Sequence, residues 1–166
     1  MTPEEALIRL ESPPKLNTQT GPMFRAWSLR AFRSLPLGEF QRSCKGVYLL
    51  NASEEDSFTF VRETLRQALS KRPDLVAKVK GLYILGEAKW VGEPGGNQGK
   101  QVDEVLRFCS LQRGAVRRVG IVDGFPWAVF DKKSGIINNK EAVKIQESEY
   151  DVLSALLLRD YFQALK

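Results

Sequence analysis

The chain predicts an α/β fold, a mixed central β-sheet flanked by α-helices, on three observations. Pro73 to Val79 and Leu82 to Lys89 are apolar, β-branched halves joined by Lys80-Gly81, the composition of a two-residue hairpin. A helical pattern from Asn97 to Gln112 then separates the second run from another strand pattern, Val116 to Val122. That succession predicts a right-handed βαβ crossover, with the second strand parallel to the first. Amphipathic helical stretches on both sides supply the covering layers.

Taken in order, residues 1–21 read as an N-terminal arm, with a short helix over Pro3 to Leu10 and a polar run after Ser12-Pro13-Pro14. Gly21-Pro22 opens a helix with proline in its first turn. Phe24, Trp27, Ala31 and Leu35 share one face there, and Arg25, Arg30 and Arg33 fall elsewhere. Gly46 to Leu50 is a short strand or helix. Ser53 and Asp56 form a capping box for a helix whose stripe is Phe58, Val61, Leu65, Ala68 and Leu69.

After the hairpin, Gly92 to Gly96 is a loop, and the crossover helix puts Gln98, Gln101, Val102, Val105 and Cys109 along one side. Asp123-Gly124 turns the chain into an edge strand from Phe125 to Phe130, because Pro126 cannot donate to a ladder. Residues 131–147 read as a polar loop. Ser148 with Asp151 caps a last helix to Leu165, whose Leu153, Ala155, Leu156, Leu157 and Leu158 form a face wide enough for a homodimer interface or for deep burial.

The 166 residues, 43% hydrophobic and 27% charged, fit a single domain over 1–166 with a core of its own. A net charge of +5 permits a polyanionic partner. No apolar run is long enough to span a bilayer and the acidic start lacks the form of a signal peptide, so a cytoplasmic protein without membrane contact is expected. Cys44 and Cys109 are isolated packing cysteines. The absence of histidine excludes Ser-His-Asp and Cys-His catalysis, HExxH metalloproteases and histidine-based nucleases. Carboxylates, lysine and metal remain.

The hairpin supplies that set. With Lys80-Gly81 as the turn, Val79 faces Leu82 and Asp74 falls opposite Glu87. Lys89, two residues on, shares the face of Glu87. Facing carboxylates repel, and a divalent cation bound by one or two of them, with water and substrate phosphate completing the shell, removes the repulsion in the way Mg²⁺ prefers. A neighbouring lysine then positions or activates a water, or stabilises charge on phosphorus.

Pro73-Asp74 followed by Glu87-Ala88-Lys89 resembles the PD-(D/E)XK nuclease superfamily. The run from Lys71 to Gln98, with its GEAK strand and Gly95-Gly96-Asn97-Gln98, is similar to a group of type II restriction endonucleases. Asn17 to Trp27 and Val119 to Trp127 resemble that group as well. The resemblance implies a restriction-endonuclease-like fold and Mg²⁺-dependent, sequence-specific cleavage of double-stranded DNA, with Mn²⁺ as a substitute and 5′-phosphate ends. It implies Asp74, Glu87, Lys89 and Gln98 as catalytic residues and Asp74 and Glu87 as metal ligands, joined by an upstream acid, Glu54 or behind it Glu39. A companion DNA methyltransferase is implied as a genetic partner, and a palindromic target implies a homodimer.

Candidates for DNA contact are Arg25, Asn97, Gln101, Arg117 and Arg118, with Lys132, Lys133, Asn138, Asn139 and Lys140 in the polar loop over 131–147. An ordinary solvated surface is the alternative for each. A Holliday-junction resolvase or repair endonuclease of the same superfamily, or a DNA-binding protein without catalysis, are the rival functions.

Overall fold

A computed structural model describes residues 16–92, 97–127 and 139–165, without side-chain placements for 16–19, 97 and 98. Helix α1 (Leu16–Ala31) leads to β1 (Ser34–Leu35), α2 (Leu37–Arg42) and β2 (Val47–Leu50). Helix α3 (Glu54–Thr59) runs into a π-helical turn, Phe60–Thr64. The hairpin β3 (Leu75–Val79) and β4 (Leu82–Val91), helix α4 (Asn97–Ser110) and β5 (Arg117–Gly124) follow. A 3₁₀ turn (Phe125–Trp127), α5 (Lys140–Glu147), β6 (Val152–Leu153), a second 3₁₀ turn (Ala155–Leu157) and α6 (Leu158–Ala164) complete the described elements.

The six strands form one sheet in the order β1-β2-β3-β4-β5-β6. The pairs β2/β3 and β3/β4 are antiparallel, and β1/β2, β4/β5 and β5/β6 are parallel, so the sheet is mixed as expected. Lys80 and Gly81 have φ of 50° and 90°, the paired positive angles a two-residue hairpin requires, and Val79 pairs with Leu82.

Alternation along β4 divides the core. Ile84 and Ala88 join Phe24 of α1 and Leu158 and Phe162 of α6 on one face. Leu85 faces the other way, against Phe40 of α2 and Phe60 and Val61 of the π-helical turn. Val91 also faces that way, beside Val102 and Val105 of α4 and Ile145 of α5. Helix α4 comes close to β5 because Gly120 has no side chain: a Cβ there would lie 2.3 Å from Val105 Cγ1. Among the described residues no helix is long and apolar enough to cross a membrane.

Five expectations are corrected. Helix α1 begins at Leu16, with Pro22 inside it rather than in its first turn. Proline forfeits one intrahelical bond, yet Arg25 of the same helix is anchored on Asp74, just ahead of β3, and the helix buries Phe24. Helix α3 is sealed by its expected Ser53 cap but stops at the π-turn, and Arg66 at φ 52° redirects the chain so that Gln67 points inward. The segment Phe125–Trp127 is a 3₁₀ turn, not an edge strand, with the Trp127 indole donating to the Val122 carbonyl.

Within 131–147, residues 140–147 are helix α5, capped by Asn139; the rest of that expected loop lies outside the described residues. Ser148 closes α5 instead of opening the last helix, and Val152–Leu153 is a strand on β5. Asp151 is drawn into the sheet edge: its carbonyl accepts from Gly120 N, and its carboxylate takes the Tyr161 hydroxyl at 2.7 Å. The wide leucine face is therefore split. Leu153 and Leu158 are buried, while Leu156 and Leu157 are exposed.

Candidate active site

The register that pairs Leu75 with Gly86 carries one step outward to Asp74 and Glu87. Gly86, immediately before the acid, packs under Ile121 and Leu75, where a Cβ would lie 2.6 Å from Ile121 Cδ1. The strand thus presents Glu87 from a tightly seated backbone.

Glu87 is the buried charge of the molecule's central strand, its side chain 5% exposed. A carboxylate so buried requires compensating charge. Two ammonium groups provide it, both on Oε1: Lys71, from the segment before β3, and Lys89 at 3.5 Å. Lys89 also reaches Glu104 Oε2 of α4 at 2.8 Å. Burial alone would lower the pKa of Lys89, but the hydrogen bond to Glu104 and the charges of Glu87 and Glu104 outweigh it and hold the amine above its ordinary value. Lys89 is therefore an ammonium at neutral pH.

Asp74 is held differently. Its Oδ2 accepts from the backbone N–H of Ala88 at 3.0 Å, and its Oδ1 takes Arg25 Nη1 of α1 at 2.7 Å. Gly21 makes room for this, since a Cβ there would lie 2.5 Å from Asp74 Oδ1. The two carboxylates are ladder neighbours, but their partners come from opposite layers. Asp74 is gripped from the α1 side and Glu87 opens toward a cleft of about 700 Å³ below α4, lined also by Arg62, Lys71, Glu104 and Arg107. The expectation that Asp74, Glu87 and Lys89 share one patch holds for the last two.

The donor set suits a hard divalent cation: carboxylate oxygens from β4 and from the residue just ahead of β3, with ammonium and guanidinium groups balancing their charge. Among the described residues no three acidic, histidine or cysteine side chains converge. Glu54 lies exposed in the first turn of α3 and Glu39 in that of α2. Glu54 and Asp74 both act on Arg72, whose pKa is lowered chiefly by burial and then by Arg25, against the pull of the two acids.

Of the expected DNA contacts, Arg25 is engaged with Asp74 and Arg117 lies 3.7 Å from Asp151. Arg118 is corrected to an internal role: it is buried, donates to the carbonyl of Phe108 at 3.1 Å and to Gln67 Oε1 at 3.2 Å, and stacks on the Phe108 ring. Asn139 is likewise internal, accepting from Ala142 N and donating to the carbonyl of Phe125. Gln101, on α4, is buried, with its Oε1 unpartnered among the described residues. Lys140 is exposed at the start of α5. Lys132, Lys133 and Asn138 lie outside the described residues, as do the side chains of Asn97 and Gln98.

Sequence reasoning missed Gly21, Lys71 and Glu104. Lys71 sits in the basic run before Pro73-Asp74, and Glu104 lies on the polar flank of the crossover helix, one turn beyond Gln101; neither spacing marks a contact by itself.

No curated protein and no solved structure is significantly similar to this sequence. A family model does match, the Tsp45I type II restriction enzyme, over residues 4–165. The match takes in the hairpin acids, the crossover helix and both covering layers, and the chain belongs to the Tsp45I family of type II restriction enzymes.

Proposed function

We propose that this single nuclease domain makes Mg²⁺-dependent, sequence-specific double-strand breaks in DNA, leaving a 5′-phosphate and a 3′-hydroxyl, in a cytoplasm that also holds a protecting methyltransferase. The observation that carries the reading is Glu87: a buried carboxylate in a central strand, across the ladder from Asp74 and 3.5 Å from the Lys89 ammonium. Asp74 and Glu87 would hold the ion, with Glu54 as the upstream acid. A bound divalent ion supplies Lewis acidity toward the phosphate and a more acidic water.

The chain's own groups do the rest. Arg25 and the Ala88 N–H fix the Asp74 carboxylate. Glu104 and Glu87 keep Lys89 protonated and aimed, so that it offers positive charge where negative charge develops on the phosphoryl oxygens. Gln98 assists at the start of α4. Arg62 and Arg107 line the cleft beside Glu87 and suit the phosphates that flank the scissile bond.

Unmethylated phage DNA, Mg²⁺ and end-mapping test the proposal. Discrete bands with 5′-phosphate ends are expected from the wild type, and Lys89→Ala should slow cutting by about 10²- to 10³-fold. Cleavage of branched DNA alone would assign a resolvase, and wild-type protein inert with both Mg²⁺ and Mn²⁺ would leave no catalytic role for the hairpin.

A further inference from the structure

Lys71 is 62% exposed, yet its ammonium reaches in to Oε1 of a carboxylate that is 5% exposed. The other cation on that oxygen, Lys89, lies farther off at 3.5 Å and makes its shorter contact with Glu104. Lys71 is therefore the nearer neutraliser of Glu87, and it comes from the irregular segment just ahead of Pro73 rather than from the sheet. A lysine stem with most of its surface in water leaves such a contact at little hydration cost and regains rotamer freedom.

We infer that Lys71 is a tethered counter-ion: it occupies the oxygen of Glu87 that a divalent cation needs, so that the ion must displace it and the ion concentration required for loading is raised. The inference rests on the reading of Asp74 and Glu87 as a metal site. Without the ion, Lys71 keeps a buried carboxylate compensated and the hairpin intact. When an ion takes over Glu87, the departing ammonium stays in the cleft that Arg62 and Arg107 also line. The ammonium and the ion compete for one lone-pair region, and two ligands that exclude each other weaken each other by the same factor.

Mn²⁺ binding to the DNA-free protein, counted by loss of the free-ion paramagnetic resonance signal, tests this without any cleavage. Lys71→Met is expected to bind Mn²⁺ at least about fivefold more tightly than wild type, and Lys71→Gln to fall between. Thermal melts should show Lys71→Met less stable than wild type without Mn²⁺ and raised more by adding it. Glu87→Gln should bind little in either background. Equal or weaker Mn²⁺ binding by Lys71→Met, with binding still abolished by Glu87→Gln, overturns the role of Lys71 and leaves the metal site standing. Absence of binding in both wild type and Lys71→Met overturns the two together.

Discussion

Gly21 and Arg25 stand one helical turn apart, and both meet the same carboxylate of Asp74. The arginine neutralises it and the glycine lets it approach, so the two act as one clamp. Gly21→Ala would place a methyl 2.5 Å from Asp74 Oδ1 and force the acid or the helix to shift. Overpacking of this kind costs about 1–3 kcal/mol. Cleavage rate should fall by more than the melting temperature implies, because the displaced atom is a proposed metal ligand; comparing initial rates with urea midpoints checks it. Cys109 gives a second prediction. Burial, with Asp151 next in effect, pushes its thiol up to about 12 from 9.0, whereas Cys44 is exposed. The folded state thus keeps a proton that the unfolded chain releases first, so this contribution to stability is intact below pH 9 and is lost as pH rises toward about 12. Native protein should react quickly with a thiol reagent at Cys44 alone, and Cys109→Ala should flatten the alkaline fall of the urea midpoint.

At the scale of elements, the hairpin was legible because its evidence is local: a Lys-Gly turn between two apolar runs fixes every pair outward to Asp74 and Glu87. The parallel crossover was legible for a similar reason. The C-terminal third was not. Strand β6 has two residues, too few for an alternating pattern, and it pairs with β5 through Gly120 and Ile121, some thirty positions away. Ser148 and Asp151 have capping-box spacing, yet sheet pairing at Asp151 prevailed over local preference. The same competition hid Arg118, which as sequence is one of two basic residues at a strand start. In the fold it ties β5, α4 and the segment after α3 through Phe108 and Gln67. Arg118→Ala should therefore destabilise by about 2–4 kcal/mol, whereas Arg117→Ala, at a half-exposed pair with Asp151, should cost less than about 1 kcal/mol. Chemical denaturation of both variants separates an internal tie from a surface phosphate contact.

For the whole molecule, one face keeps an apolar cleft of about 950 Å³ whose lining includes Met23, Trp27, Trp127, Leu156, Leu157 and Lys89. Leu156 is 85% exposed. A solvated leucine beside such a cleft suits self-pairing, which a symmetric target would require. Sedimentation should find a dimer that Leu156→Glu converts to monomer, with double-strand cuts giving way to nicks. A wild-type monomer at all concentrations that still cuts both strands would remove the dimer from the account.

The bare α-carbon of Gly120 governs more than packing. It is the fulcrum on which the crossover helix tips toward the sheet, with Val105 resting on it and Glu104 next along the beam. A single methyl at that pivot would lift the far arm, and with it the oxygen that steers the Lys89 amine. The aim of the Lys89 amine is thus calibrated from a strand it does not belong to, by an atom that is missing.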